Sequence, residues 1–387
     1  MGRRTQAGGL SRAIGLGRRR KRHVRRLFLF GIGRQAAESD MTDARGPRRQ
    51  KVTLQHVADA AKVSKATASL ALNNNPRISE ATRKRVLAAV ESLGYVYNQR
   101  AASLRTQRSF TVACIIHELS NPFSAELTSG AESQLAARGF SLLLGTAAQD
   151  HQKQARMVKT MLERDVDGII LSPVMGTDSV TLGKIAEYCP LVLTTGHYDS
   201  LDIDSVDMDN ENGAARGVEY LVENGHKRIA FIGGAEERPS RQSRLLGYRK
   251  VLRKHKIPFD PSLCIASAVT RRGGYDAAQQ VLALANPPTA AFCYCDVNAF
   301  GVMLGLRAAG IEAGKDFAVV GFDNVAEASL WQPSLTTVAT DPTALGEQMA
   351  KLMLQRIAEP DMPIQRVIMP SQLIVRDSTA ALAIEPR

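Results

Sequence analysis

Apolar positions follow two different rhythms along this chain. From Leu54 to Gly94 they recur at helical spacing. Leu54, Val57, Ala58 and Ala61 fall at i, i+3, i+4 and i+7, one face of a short helix, and Thr53 stands where its N-cap belongs. Lys62-Val63 breaks the pattern, and Ser64 caps a second helix running from Lys65 to Leu72. Asn73-Asn74-Asn75-Pro76 ends it, because proline disfavours helix in the residue before it. Ser79-Glu80 opens a third helix, with the acid at the positive end of the helix dipole. Val86, Leu87, Val90 and Leu93 form its expected buried stripe, and Gly94 its expected C-terminal cap. Two short helices around a tight turn, then a longer one, predict a helix-turn-helix unit. The second helix of such a unit enters the major groove of DNA. On it, Ala68, Ala71 and Leu72 are expected to face the core, leaving Lys65, Ala66, Ser69 and Leu70 outward. The pattern alone is equally that of a generic three-helix bundle.

Beyond residue 109 the rhythm changes to continuous apolar runs of strand length, each followed by a helix-length segment. The runs are Phe110–Ile116, Phe140–Leu144, Gly168–Leu171, Leu191–Leu193, Arg228–Ile232, Thr289–Cys293 and Phe317–Phe322. Such alternation predicts parallel sheets buried on both faces. Residues 110–380 are too many for one sheet of so few strands. Two lobes are expected instead, the first mainly 110–209 and the second mainly 210–335, with C-terminal segments crossing between them. The break falls near Asp209-Asn210, where a new strand-helix series begins. Open α/β sheets bind ligands at the carboxyl ends of their strands. Those ends carry His117, Asn121 to Ser124, Thr194 to His197, Glu236 to Arg244, Cys295-Asp296 and Asp323-Asn324. They are polar enough to orient a small polar molecule between the lobes.

Charge sharpens this picture. Residues 1–49 hold 14 basic and 3 acidic side chains, residues 50–109 hold 10 and 3, and residues 110–387 hold 26 and 32. A basic front on a mildly acidic body is the electrostatic footprint of a nucleic-acid binder. Residues 1–50 read as a basic disordered tail. Met41 is the expected native start, because ordered-looking sequence follows it after a short polar lead. No run approaches the roughly 18 apolar residues of a membrane span, and no secretory signal is recognised, so a cytoplasmic, nucleoid-associated protein is expected. Cys114, Cys189, Cys264, Cys293 and Cys295 are odd in number and sit mostly in apolar runs, which suits buried thiols in a reducing compartment. None has a His or Cys partner at ligand spacing, so no metal and no cofactor are expected.

The stretch Val52-Thr53-Leu54-Gln55-His56-Val57-Ala58-Asp59-Ala60-Ala61-Lys62-Val63-Ser64-Lys65-Ala66-Thr67-Ala68-Ser69-Leu70-Ala71-Leu72-Asn73 closely resembles the DNA-binding signature of the LacI/GalR repressor family. Arg77-Ile78-Ser79, Thr82-Arg83, Leu93-Gly94-Tyr95 and Asn98 continue the match, and the resemblance extends to about Arg376. Within the family the sequence is similar to maltose-regulon repressors. The resemblance implies a small all-α helix-turn-helix domain over residues 51–97 and a hinge helix and linker over 98–109. An α/β two-lobed type I periplasmic-binding-protein-like domain follows over 110–380, then a tail at 381–387. It implies double-stranded DNA, as a near-palindromic operator, and a small polar effector as partners of a homodimer. DNA contacts are implied for Thr53, Ser64, Lys65, Ala66, Thr67, Ser69, Leu70, Asn73, Tyr95, Asn98, Arg100, Ala101 and Leu104. Leu104 matches the family's minor-groove wedge, a side chain that unstacks and kinks a base step. Effector contacts are implied for Phe123, Ser124, Thr195, Arg238, Ser240, Arg244, Cys295, Asp296 and Asp323. Two departures stand out. Lys62 occupies the turn position usually held by Gly, and Leu70 a base-reading position often held by Arg.

The expected function is therefore a ligand-responsive transcriptional regulator, a repressor, and not an enzyme. The alternatives are a small-molecule-binding protein or an α/β enzyme with no regulatory DNA role. A dinucleotide enzyme is disfavoured, since Gly31-Ile32-Gly33 lacks a third glycine and Ile232-Gly233-Gly234 lacks the required spacing.

Overall fold

A computed structural model describes residues 52–96, 108–194 and 201–379. The chain divides into two compact units, residues 1–97 and 98–387. In the first, α1 (Leu54–Ala60), α2 (Lys65–Leu72) and α3 (Glu80–Leu93) follow one another. Thr53, Ser64 and Ser79 each accept a backbone N–H from the first turn of the helix they precede, satisfying donors the helix itself cannot. Gly94 ends α3 in the left-handed conformation. Val57, Ala58, Ala61, Ala68, Ala71, Val86 and Ala89 form the core, with Leu72 and Val90 packed against it. The α3 stripe differs from expectation. Leu87 and Leu93 are 50% and 37% exposed, and Ala89 takes the inward position. With partners on only one side of α3, a narrow stripe of small residues is all the helix can bury.

The second unit is built from two sheets of six strands. One contains β1 (Thr111–Ile116), β2 (Ser141–Thr146), β3 (Gly168–Leu171), β4 (Leu191–Leu193), β5 (Asp204–Met208) and β11 (Arg366–Met369). The other contains β6 (Ile229–Ile232), β7 (Cys264–Ile265), β8 (Ala290–Cys293), β9 (Ala318–Asp323), β10 (Thr336–Ala339) and β12 (Gln372–Ile374). The strand orders, β2-β1-β3-β4-β5-β11 and β7-β6-β8-β9-β10-β12, describe the same winding twice. All pairings are parallel except β10 with β12, where Thr337 faces Ile374. In each sheet the order reverses beside the first strand, and that reversal opens a crevice at the strands' carboxyl ends.

Helices cover both sheets. In the first lobe they are α4 (Pro122–Ala136), α5 (His151–Glu163), α6 (Ser179–Tyr188) and α11 (Pro342–Ala358). In the second they are α7 (Asn210–Glu223), α8 (Pro239–Lys254), α9 (Arg271–Leu282) and α10 (Asp296–Ala308). Two helix pairs approach unusually closely, and glycines on both members permit it. A Cβ on Gly130 of α4 would collide with the Thr343 carbonyl, and one on Gly346 of α11 with the Leu127 carbonyl. Gly274 of α9 and Gly301 of α10 stand in the same reciprocal relation to the Asn298 and Arg271 carbonyls. The chain passes between the lobes three times: from β5 to α7, from β10 to α11, and from β11 to β12. Among the described residues no helix is long and apolar enough to cross a membrane.

Candidate functional site

In the first unit, α2 presents Lys65 and Ala66 fully outward and Ser69 and Leu70 half-buried. The Ser64 hydroxyl lies 2.8 Å from that of Thr67 and accepts the Thr67 N–H, so both are engaged in the cap. Thr53 is similarly engaged with His56. Asn73 Nδ2 donates to the Ser69 carbonyl at 2.7 Å, closing the end of α2. Tyr95 is half-buried against the three-helix core. Lys62 takes the left-handed conformation, with φ 53°, at the turn between α1 and α2. Asn98, Arg100, Ala101 and Leu104 lie outside the described residues, as do Thr195, Met41, the basic tail and the C-terminal tail.

In the second unit a cleft opens where the two crevices face each other. Its first-lobe wall is His117 and Glu118 after β1, Asn121, Phe123 and Ser124 at the start of α4, and Ser172 after β3. The opposite wall carries Arg238, Ser240 and Arg244 at the start of α8, Tyr294 and Cys295 after β8, and Asp323 ending β9. The enclosed space is about 50 Å³. Since a single water needs about 10–15 Å³, this holds a few waters, and a larger ligand requires the lobes to part.

Arg244 organises the second-lobe wall. Its Nε donates to Asn210 Oδ1 at 2.9 Å, its Nη1 to the Tyr294 carbonyl, and its Nη2 lies 3.8 Å from Asp323 Oδ1. The guanidinium lies 3.6 Å from the centre of the Phe322 ring and 4.6 Å from that of Tyr294. Burial pushes the Asp323 carboxyl well above its ordinary range, while the neighbouring Arg244 pulls it down. Asp323 has φ 117° and Asn324 φ 61°, a strained backbone for residues with side chains. Burial also raises the Cys295 thiol, which donates to Asn298 Oδ1. Such a thiol is not a nucleophile.

Asp296 does not line this cleft. It is fully buried at the first turn of α10. Its Oδ1 accepts the Thr337 hydroxyl at 2.5 Å and its Oδ2 the Val325 N–H at 2.9 Å. A Cβ on Gly321 would strike the carboxylate, so that glycine makes room for it. Asp296 therefore braces the strained 323–325 turn from behind rather than meeting a ligand. Arg376 grips the same turn, donating to Asn324 Oδ1 at 2.8 Å and to the Leu335 carbonyl at 2.6 Å. Tyr294, which lines the cleft, is not among the residues the sequence picked out. Its place one residue beyond β8 was the available signal.

Comparison with known proteins follows the same division. Residues 53–98 match the model of bacterial regulatory proteins, lacI family, and residues 218–379 that of a periplasmic binding protein-like domain. The chain is 33% identical over 330 residues to the HTH-type transcriptional repressor CytR of Escherichia coli (strain K12), across 85% of this chain and 97% of that one. This chain belongs to the lacI family. The maltose regulon regulatory protein MalI of the same organism is 32% identical over 336 residues, covering 84% of this chain and 98% of that protein. Identities this similar do not single out the maltose-regulon repressors as nearer kin. A Lac repressor dimer bound to operator and the anti-inducer ONPF superposes with a TM-score of 0.77 at 27% identity, across 86% of this chain and 100% of that one. The transcriptional regulator CelR in complex with cellobiose gives 0.64 at 29%, across 85% of this chain and 100% of that one. As a lacI-family member, the chain is an effector-binding DNA regulator of transcription and not an enzyme.

Proposed function

We propose that this lacI-family protein represses transcription as a cytoplasmic homodimer on a near-palindromic operator, and that a sugar or related polar metabolite held between its lobes controls that binding. The observation that carries the reading is the cleft itself. Two identically wound sheets turn their crevices toward one cavity, and Arg238, Ser240, Arg244, Asp323, Phe123 and Ser124 line it. Such a site senses a small molecule by favouring one lobe arrangement over another. CelR carrying cellobiose supports a saccharide class. Lys65, Ala66, Ser69 and Leu70 would meet base edges from α2, while Leu104 would wedge the minor groove. Leu70 cannot make the bidentate contact to guanine that an arginine makes there, so the half-site should lack a guanine at that position. A dimer is favoured by the Lac repressor dimer among the structures this chain resembles. The test is operator binding by gel shift, with sites mapped genome-wide and metabolites of the adjacent genes then titrated in. Effector-sensitive binding to a two-fold site is expected; salt-dependent but sequence-indifferent binding contradicts the reading.

A further inference from the structure

We propose that the effector carries an oxyanion, a carboxylate or a phosphate, and that this group bridges Arg238 of the second lobe and His117 of the first. The proposal rests on the cleft being the effector site. Most polar groups on the cleft wall are already engaged. Arg244 directs all three nitrogens at Asn210, Tyr294 and Asp323. The Ser240 and Tyr294 hydroxyls lie 2.8 Å apart and satisfy each other.

Two nitrogens are left over. Arg238 Nε and His117 Nδ1 are both buried with no hydrogen-bond partner. A buried unsatisfied N–H is costly, so two at one cleft mark where a ligand's acceptors belong. Arg238 also makes no ion pair among the described residues; its guanidinium makes a long hydrogen bond, 3.4 Å, from Nη1 to the Tyr294 hydroxyl and lies 5.9 Å from the centre of that ring. Glu118 shares the cleft but does not pair with it. A neutral hydroxyl could accept the orphan N–H and would still leave the Arg238 charge without a counter-ion. A carboxylate or phosphate meets both needs, and arginine's planar fork suits it. Burial and the Arg238 charge lower the His117 pKa to about 3, so the imidazole stays neutral beside the cation. In its Nδ1–H tautomer it donates to the same group. Because the two partners come from opposite lobes, the oxyanion acts as a latch that favours the closed arrangement.

The test is thermal denaturation of the full chain with matched probes: glucose, gluconate and glucose 6-phosphate; galactose and galacturonate; ribose and ribose 5-phosphate; and inorganic phosphate. At least one acid is expected to raise the melting temperature while its neutral counterpart does not, and the carboxylate and phosphate arms identify which oxyanion. Calorimetry should then show Arg238→Gln weakening that acid ten- to a hundredfold, the range expected for hydrogen bonds to a charged group. Arg238→Lys, which keeps the charge but loses the fork, should fall between, and His117→Asn should also weaken binding. The proposal is overturned if no acid stabilises the protein, if a neutral sugar does so equally, or if folded Arg238→Gln binds the acid unchanged. A neutral sugar that binds and shifts operator affinity defeats the oxyanion but leaves the regulatory cleft standing. An acid that needs Arg238 yet leaves operator affinity untouched does the reverse.

Discussion

Asp296 shows how far a single carboxylate's role depends on which way it points. Burial raises it to about 7, against the hydrogen bonds from Thr337 and the 324–325 backbone that lower it. A folded-state value above the unfolded one means the native chain holds the extra proton between roughly pH 4 and 7. Its contribution to stability therefore falls as pH rises through that interval. Asp296→Asn should remove that slope in pH-dependent melting. It should also weaken the effector by loosening the turn that carries Asp323. His117 has the opposite sign. Its folded value near 3 lies below the ordinary 6.5, so the unfolded chain takes the proton first and stability falls as pH drops below about 6.5. The penalty amounts to about 2 kcal/mol at pH 5, and denaturant titration of His117→Asn should recover most of it. Of these residues, Arg244, Asp323, Ser240 and Phe123 could be placed near strand ends from the sequence, because they follow apolar runs. The direction of Asp296 could not, since it is set by Thr337 and Val325, which are 41 and 29 residues away.

Elements were legible wherever one face of the chain alternated cleanly. Capping residues and periodicity marked α1 to α3, and continuous apolar runs marked β1, β2, β3, β4, β6, β8 and β9. The strands left unread are those whose burial comes from distant partners. β5 reads Asp204-Ser205-Val206-Asp207-Met208, polar at three of its five positions, and is a strand because β4 and β11 flank it. β7 is two residues long, and β12 pairs only at an edge. The turn between α1 and α2 carries a testable cost. A lysine in the left-handed region is disfavoured by about 1 kcal/mol, so Lys62→Gly should stabilise the first unit by about that much in thermal unfolding. If Leu104 is the minor-groove wedge proposed above, Leu104→Ala should weaken operator binding by a few kcal/mol at most, the scale of one unstacked step, and reduce DNA bending in a gel-shift assay. Effector binding should be unaffected.

At the scale of the molecule, sensing and DNA reading belong to separate units, so they should be separable by mutation. Arg244→Ala and Asp323→Asn should each abolish the effector response while leaving operator binding intact. A lost charge-assisted contact at a buried ligand costs about 1.5–3 kcal/mol, and titration calorimetry beside operator binding checks it. Light scattering should report a dimer, and a stable tetramer without DNA would contradict it. The triple passage between the lobes has a further consequence for how the sensor can be taken apart. Cutting the chain at Asp209-Asn210 does not yield one lobe and then the other. The downstream piece still owns α11 and β11, which belong to the first lobe, and the upstream piece is left without its edge strand. The upstream fragment is an incomplete first lobe, and the downstream fragment carries the second lobe together with first-lobe elements that have lost their partners, so neither should be stable when expressed alone. Co-expressed, the two should reassemble into a nicked but ligand-competent sensor, making this crossing a place to split the protein into a two-part reporter.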